Sequence, residues 1–280
     1  WNLRSALCDF RASSFDTYFA KTGFEVGVSM FFIAKEMIAG FRHLFPRGKF
    51  RFVLVVLSLI AAAISVSELL VMKFFATLVL HEGDFDRTVL GWAIFGFFVF
   101  FVVTRLGQYF QRNYRVKALA RSFRAAKKEK TMKEENREWA MAFELTNILS
   151  LGTQLVAILL FFLVLNPLIA AVNVLILMAI LQFVGSIFRK QIAIQAKLNS
   201  EDKKKVKPDK RYGVRIKAAE TGALVSGAGM LALLGVLLFL SIKGEITPAN
   251  TLVIFLGARL QNSVISNGSR SLMRYAKSNS

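Results

Sequence analysis

Residues 146–188 read TNILSLGTQLVAILLFFLVLNPLIAAVNVLILMAILQFVGSIF. The stretch carries no charge and is interrupted once, by Asn166 and Pro167, which cannot continue a helix smoothly. A bilayer core about 30 Å thick takes roughly 20 apolar residues in helical form. Thr146–Leu165 and Leu168–Phe188 each have that length, so the stretch reads as two membrane-crossing helices joined by a tight hairpin.

Four more runs of this kind lie on either side. Phe52–Leu80 ends at the acidic turn HEGDFDR, and residues 88–110, richest in Phe (WAIFGFFVFFVV), meet their first charge at Arg105. Gly222–Ile242 and Ala249–Gly268 are joined by KGEITP. The expected fold is an all-α membrane protein with six transmembrane helices and cytoplasmic helical extensions. Composition agrees: of 280 residues 55% are hydrophobic, and the mean hydropathy is +0.49. A water-soluble domain cannot hide so much apolar side chain.

The basic residues set the orientation, because Lys and Arg are retained on the cytoplasmic side. With both ends inside, segments 1–51, 105–145, 189–221 and 269–280 hold 33 of the 37 Lys and Arg. The outer turns hold two, Arg87 and Lys243, and Lys73 and Arg259 sit within spans. An odd number of spans would destroy this asymmetry. The chain thus divides into a polar tail (1–22), an interfacial segment with a basic lead-in (23–51) and a six-helix domain (52–277). In the interfacial segment, VGVSMFFIAKEMIAGF (26–41) has apolar residues at helical spacing but is too short and too charged to span. It reads as an amphipathic helix in the cytoplasmic interface, with FRHLFPRGKFR among anionic head groups. The expected location is a bacterial or organellar inner membrane.

Catalytic signatures are missing. The sequence has no G-x-x-x-x-G-K-[ST] phosphate loop, H-E-x-x-H, G-x-S-x-G or G-x-G-x-x-G. Cys8 is the one cysteine and His43 and His81 the two histidines, too few for a four-ligand zinc site or an internal disulfide. The expectation is a protein that is not an enzyme and holds no cofactor of its own. Its basic runs lack an aromatic-interleaved platform, so positive-inside topology and anionic lipid explain them better than nucleic acid.

Polar residues within spans are the candidate functional positions. Glu68 lies near mid-depth of the first span with Lys73 five residues on; the pair either neutralises itself or touches a pathway. The sixth span is the most polar, with Arg259, Gln261, Asn262, Ser263, Ser266, Asn267 and Ser269. Arg259, Asn262 and Ser266 follow an i, i+3, i+7 pattern and share a face. That face either lines a cavity or hydrogen-bonds across a helix interface. In the fifth span GALVSGAGMLALLG supplies small residues for close helix packing.

An interfacial helix, six spans, cytoplasmic excursions after spans two and four, and the segment KGEITPANTLVIFLGARLQNSVISNGSRSL together resemble the transmembrane domain of ABC exporters. The resemblance covers residues 26–277 as a pattern of hydropathy and loop lengths. It implies that Phe31–Phe41 is the elbow helix and that Arg259, Asn262 and Ser266 border a translocation pathway. It also implies short coupling helices near Met132–Arg137 and Ser200–Lys210, with Met132, Lys133, Glu134, Lys203, Lys204 and Lys205 touching a nucleotide-binding domain. The ATPase would be a separate chain, ATP would enter only through it, and two copies or one copy with a related partner would form the cavity. Substrates of such cavities are amphipathic lipids, peptides or drugs.

Two functions follow: a transport subunit, or an exporter-like scaffold or regulatory subunit that moves nothing. In the exporter arrangement helices four and five reach across to the partner half. Six helices packed as one compact unit favour the scaffold.

Overall fold

The computed structural model describes residues 29–45, 49–80, 87–125, 131–200 and 208–279. They form seven helices: α1 (Ser29–Leu44), α2 (Lys49–Val79), α3 (Arg87–Ala125), α4 (Met132–Leu165), α5 (Pro167–Ser200), α6 (Pro208–Ile242) and α7 (Pro248–Asn279). No strand occurs among the described residues.

Local chemistry explains the turns. Asn166 closes α4 by donating its backbone N–H to the Phe162 carbonyl at 2.8 Å, and opens α5 by accepting the Ile169 N–H on Oδ1 at 3.0 Å. Pro167 then takes the first position of α5, where a missing N–H costs nothing. Between α6 and α7 the chain reverses through Gly244 at φ 74°, a left-handed position that favours glycine. The Gly244 and Glu245 N–H groups donate to the Ser241 and Leu240 carbonyls at 3.0 and 3.1 Å, so α6 ends in a Schellman motif. Thr131 opens α4 with a capping box: its Oγ1 accepts the Glu134 N–H while Glu134 accepts the Thr131 N–H. Met132–Arg137 therefore forms the first turns of α4 rather than a separate short helix, and α4 begins well before the expected span. The Ser200–Lys210 segment lies largely outside the described residues, as do Lys203, Lys204 and Lys205.

Five helices, α2 to α6, are long and apolar enough to cross a membrane, which marks an integral membrane protein. The expectation was six. The remaining helix, α7, covers 249–268 and is long enough, but its apolar run stops at Leu256 and polar residues interrupt every turn from Arg259 onwards. At 39 residues α3 is about 58 Å long, far more than a 30 Å core, so it continues into water.

The least apolar of the long helices is also the central one: α7 packs against α2, α4, α5 and α6. It supplies Leu272, Met273, Tyr275 and Ala276 to one core cluster, with Phe45, Leu57, Leu119, Leu145 and Phe188. It supplies Ile254, Ala258 and Val264 to the other, with Leu69, Ile158, Phe162 and Leu237. Gly257 lets α7 meet α4 and α2 closely, since a Cβ there would stand 2.5 Å from the Phe162 ring and 3.2 Å from Leu69. On the periphery α3 lies along α2, with Trp92, Phe95 and Phe98 turned outward where lipid is the solvent. α1 lies against α5 and α4; the Met30 N–H donates to Gln182 Oε1 at 3.2 Å. α5 thus packs on α1, α4, α6 and α7, and α6 on α5 and α7, of the same chain, which differs from the reaching arrangement that the exporter resemblance implies.

Candidate functional site

α7 sorts its polar residues into two sets. One set faces inward and is satisfied within the bundle. Asn173 of α5 and Gln261 of α7, both buried, exchange two reciprocal amide hydrogen bonds of 2.8 Å. Ser226 of α6 donates to Asn262 Oδ1 at 2.6 Å, and Ser269 donates to the Ala219 carbonyl at 3.3 Å. Below them Asn147 of α4 accepts from Arg115 of α3 at 3.3 Å and donates to Ser271 Oγ at 2.6 Å. Arg274 Nε pairs with Glu144 Oε1 at 2.8 Å, and its guanidinium also donates to Ser271. This network ties the first half of α4 to the C-terminal parts of α3 and α7, with the Arg115 guanidinium 4.8 Å above the Phe143 ring.

The other set faces outward, with Arg274, exposed yet paired with Glu144, belonging to both. Phe255, Arg259, Ser263, Asn267, Arg270, Arg274 and Lys277 are all exposed and recur at steps of four, four, four, three, four and three residues. Helical geometry places them on one continuous stripe. Glu220 of α6 borders it, paired with Arg270 at 3.2 Å. A lipid-facing helix cannot carry such a stripe without cost, because an arginine at mid-bilayer is unfavourable by about 2.5–3.5 kcal/mol on insertion scales.

Arg259 therefore belongs to an exposed polar face, while Asn262 turns into the α6 contact and Ser266 is half-buried between the two. Ser263, Asn267 and Arg270 are the neighbours of Arg259 that the i, i+3, i+7 reading passed over; an i, i+4, i+8 reading finds Ser263 and Asn267. Glu68 and Lys73 lie elsewhere. Both are half-buried on α2, and they form no ion pair with each other. The neighbouring Ser67 donates to the Phe100 carbonyl and accepts from Thr104, so this polar spot belongs to the α2–α3 contact. Met132 and Glu134 are exposed at the start of α4. The side chain of Lys133 lies outside the described part.

At the C-terminal end of α7, Tyr275 is buried against Gly40 of α1 and 6.5 Å from the Phe188 ring. Burial, and then the nearby Glu36 carboxylate, push its phenol up to about 12. Glu36 accepts a 2.8 Å hydrogen bond from Asn279, and Arg137 donates to the Ser278 and Asn279 carbonyls, so α1 and α4 clasp the end of α7. Among the described residues no group of three His, Cys, Asp or Glu is placed to hold a metal ion.

No protein-family model, curated protein or solved structure matches the chain.

Proposed function

We propose that this chain is the pathway-forming membrane subunit of an exporter-like transporter, crossing the membrane six times as α2 to α7 with α1 as an elbow helix in the cytoplasmic interface. Both termini lie in the cytoplasm. The observation that carries the reading is the outward stripe of α7. A helix that packs at the centre of an apolar bundle, yet presents Arg259, Ser263 and Asn267 outward, requires a wet space or a polar partner on that side. A second copy or a related subunit facing the stripe would enclose that space, and an ATPase outside these 280 residues would drive its opening. The extended ends of α3, α4, α5 and α6 supply the surface on which such an ATPase docks.

A second reading is favoured by a separate observation. Because α5 packs on α1, α4 and α7, and α6 on α5 and α7, of their own chain, the bundle closes without an exchanged helix pair. This suits a non-transporting scaffold or regulatory subunit whose α7 stripe binds a polar partner. Affinity purification in mild detergent, with every bound chain identified, separates the two. The transport reading expects a nucleotide-binding chain whose ATP hydrolysis this protein stimulates. A pure complex without one supports the scaffold.

A further inference from the structure

Building on the pathway reading, we propose that the α7 stripe binds an anionic lipid, with its phosphate headgroup at Arg259 and its acyl chain along α6. Arg259 stands eleven residues beyond Pro248, about 16 Å down the helix at 1.5 Å per residue, close to half the thickness of the hydrocarbon core. It is exposed there, and among the described residues it forms neither an ion pair nor a hydrogen bond. The other arginines of the stripe are already matched, Arg270 by Glu220 and Arg274 by Glu144. Arg259 is therefore the stripe's unmatched cation at membrane depth. A planar guanidinium takes a phosphate through two parallel hydrogen bonds, and Ser263 and Asn267, exposed one and two turns below, add uncommitted donors.

The adjoining wall is apolar. Leu224 and Leu231 of α6 are 74% and 71% exposed and fall on the same helical stripe as Glu220, whose pairing with Arg270 sets that stripe beside the α7 face. Phe255 extends the apolar surface one turn above Arg259. A cation flanked by aliphatic side chains matches a headgroup followed by a chain, and a soluble anion would leave the wall uncovered. Closure by a second copy alone matches less well. A two-fold contact sets identical patches together, so one basic stripe would lie on another unless anions stood between them.

The test uses the full chain, purified in detergent and mixed with phosphatidylglycerol or phosphatidylcholine of identical acyl chains, with bound lipid counted by native mass spectrometry. Retention of phosphatidylglycerol is expected to exceed that of phosphatidylcholine by about tenfold, as a charge-assisted hydrogen bond supports. Arg259→Gln should reduce the preference to about twofold, Arg259→Lys should keep most of it, and Arg121→Gln, on the exposed surface of α3, should leave it unchanged. Glycerol phosphate, the headgroup without its chains, should fail to compete. Equal retention of the two lipids, an unchanged preference in Arg259→Gln, an equal loss in Arg121→Gln, or effective competition by glycerol phosphate would each overturn the proposal. So would a dimer that forms through α7 and excludes phosphatidylglycerol. The transport reading fails separately, on the absence of an ATPase chain, and a phosphatidylglycerol preference that depends on Arg259 survives that failure.

Discussion

Replacing either member of the Asn173–Gln261 pair tests how the bundle holds a polar helix at its centre. Asn173→Leu removes two hydrogen bonds of 2.8 Å and leaves the buried Gln261 amide without its partner. Side-chain hydrogen bonds inside membranes average about 0.6 kcal/mol each, so the two contribute roughly 1.2 kcal/mol. An unsatisfied buried amide adds about 1–3 kcal/mol. Asn173→Leu and Gln261→Leu should each cost about 2–4 kcal/mol. The double substitution removes both polar groups, and an apolar pair of similar volume should cost about 1 kcal/mol or less. The departure from additivity, the sum of the single losses less that of the double variant, is then about 3–7 kcal/mol, readable by reversible unfolding in mixed micelles of mild detergent and SDS. If the double variant loses the sum of the single losses to within about 0.5 kcal/mol, the two side chains act independently and the pairing is refuted.

Other outcomes follow from the same packing. Gly185→Ala would set a Cβ 2.6 Å from the Ser29 carbonyl oxygen, a backbone atom that cannot yield, so α1 should loosen and a protease should cut it sooner; Gly152→Ala, with nothing within 4 Å, should be neutral or raise the unfolding temperature slightly. Because the Tyr275 phenol stands near 12 when folded against 10 when unfolded, its contribution to stability is complete below pH 10 and lost as pH rises towards 12. Phenolate absorbance should therefore show one of the five tyrosines titrating late, and Tyr275→Phe should abolish that late phase. Lysines around Lys204 should react with impermeant reagents applied from the cytoplasmic face alone, and labelling from outside would break the six-crossing topology.

The apolar runs made α2 to α6 legible because lipid as solvent leaves little choice: about 20 uncharged residues must pair their backbone groups with one another. The Asn166–Pro167 turn was legible for an equally local reason. The central helix was legible as a helix, but which of its polar residues face inward was not. Its polarity showed that one face avoids lipid, but a 3.6-residue period allows both an i, i+3, i+7 and an i, i+4, i+8 choice from Arg259. Packing of Asn262 against Ser226 of α6 decides between them, and that contact joins residues 36 positions apart. Glu68 and Lys73 show the same limit. Sequence spacing puts them about one and a half turns apart, whereas the structure leaves them unpaired with each other and sets Glu68 next to the α2–α3 contact of Ser67 with Phe100 and Thr104.

Water, or a polar partner, must reach the outer face of α7 inside the membrane if the stripe is to be stable there. Ser263→Cys in a Cys8→Ser background, reconstituted in vesicles and exposed to a charged, membrane-impermeant thiol reagent, tests this directly, with Phe98→Cys on the lipid-facing side of α3 as reference. Rapid labelling at position 263 beside slow labelling at 98 is the expected result. Equal protection at the two positions, in the purified chain and in its membrane of origin alike, would contradict it.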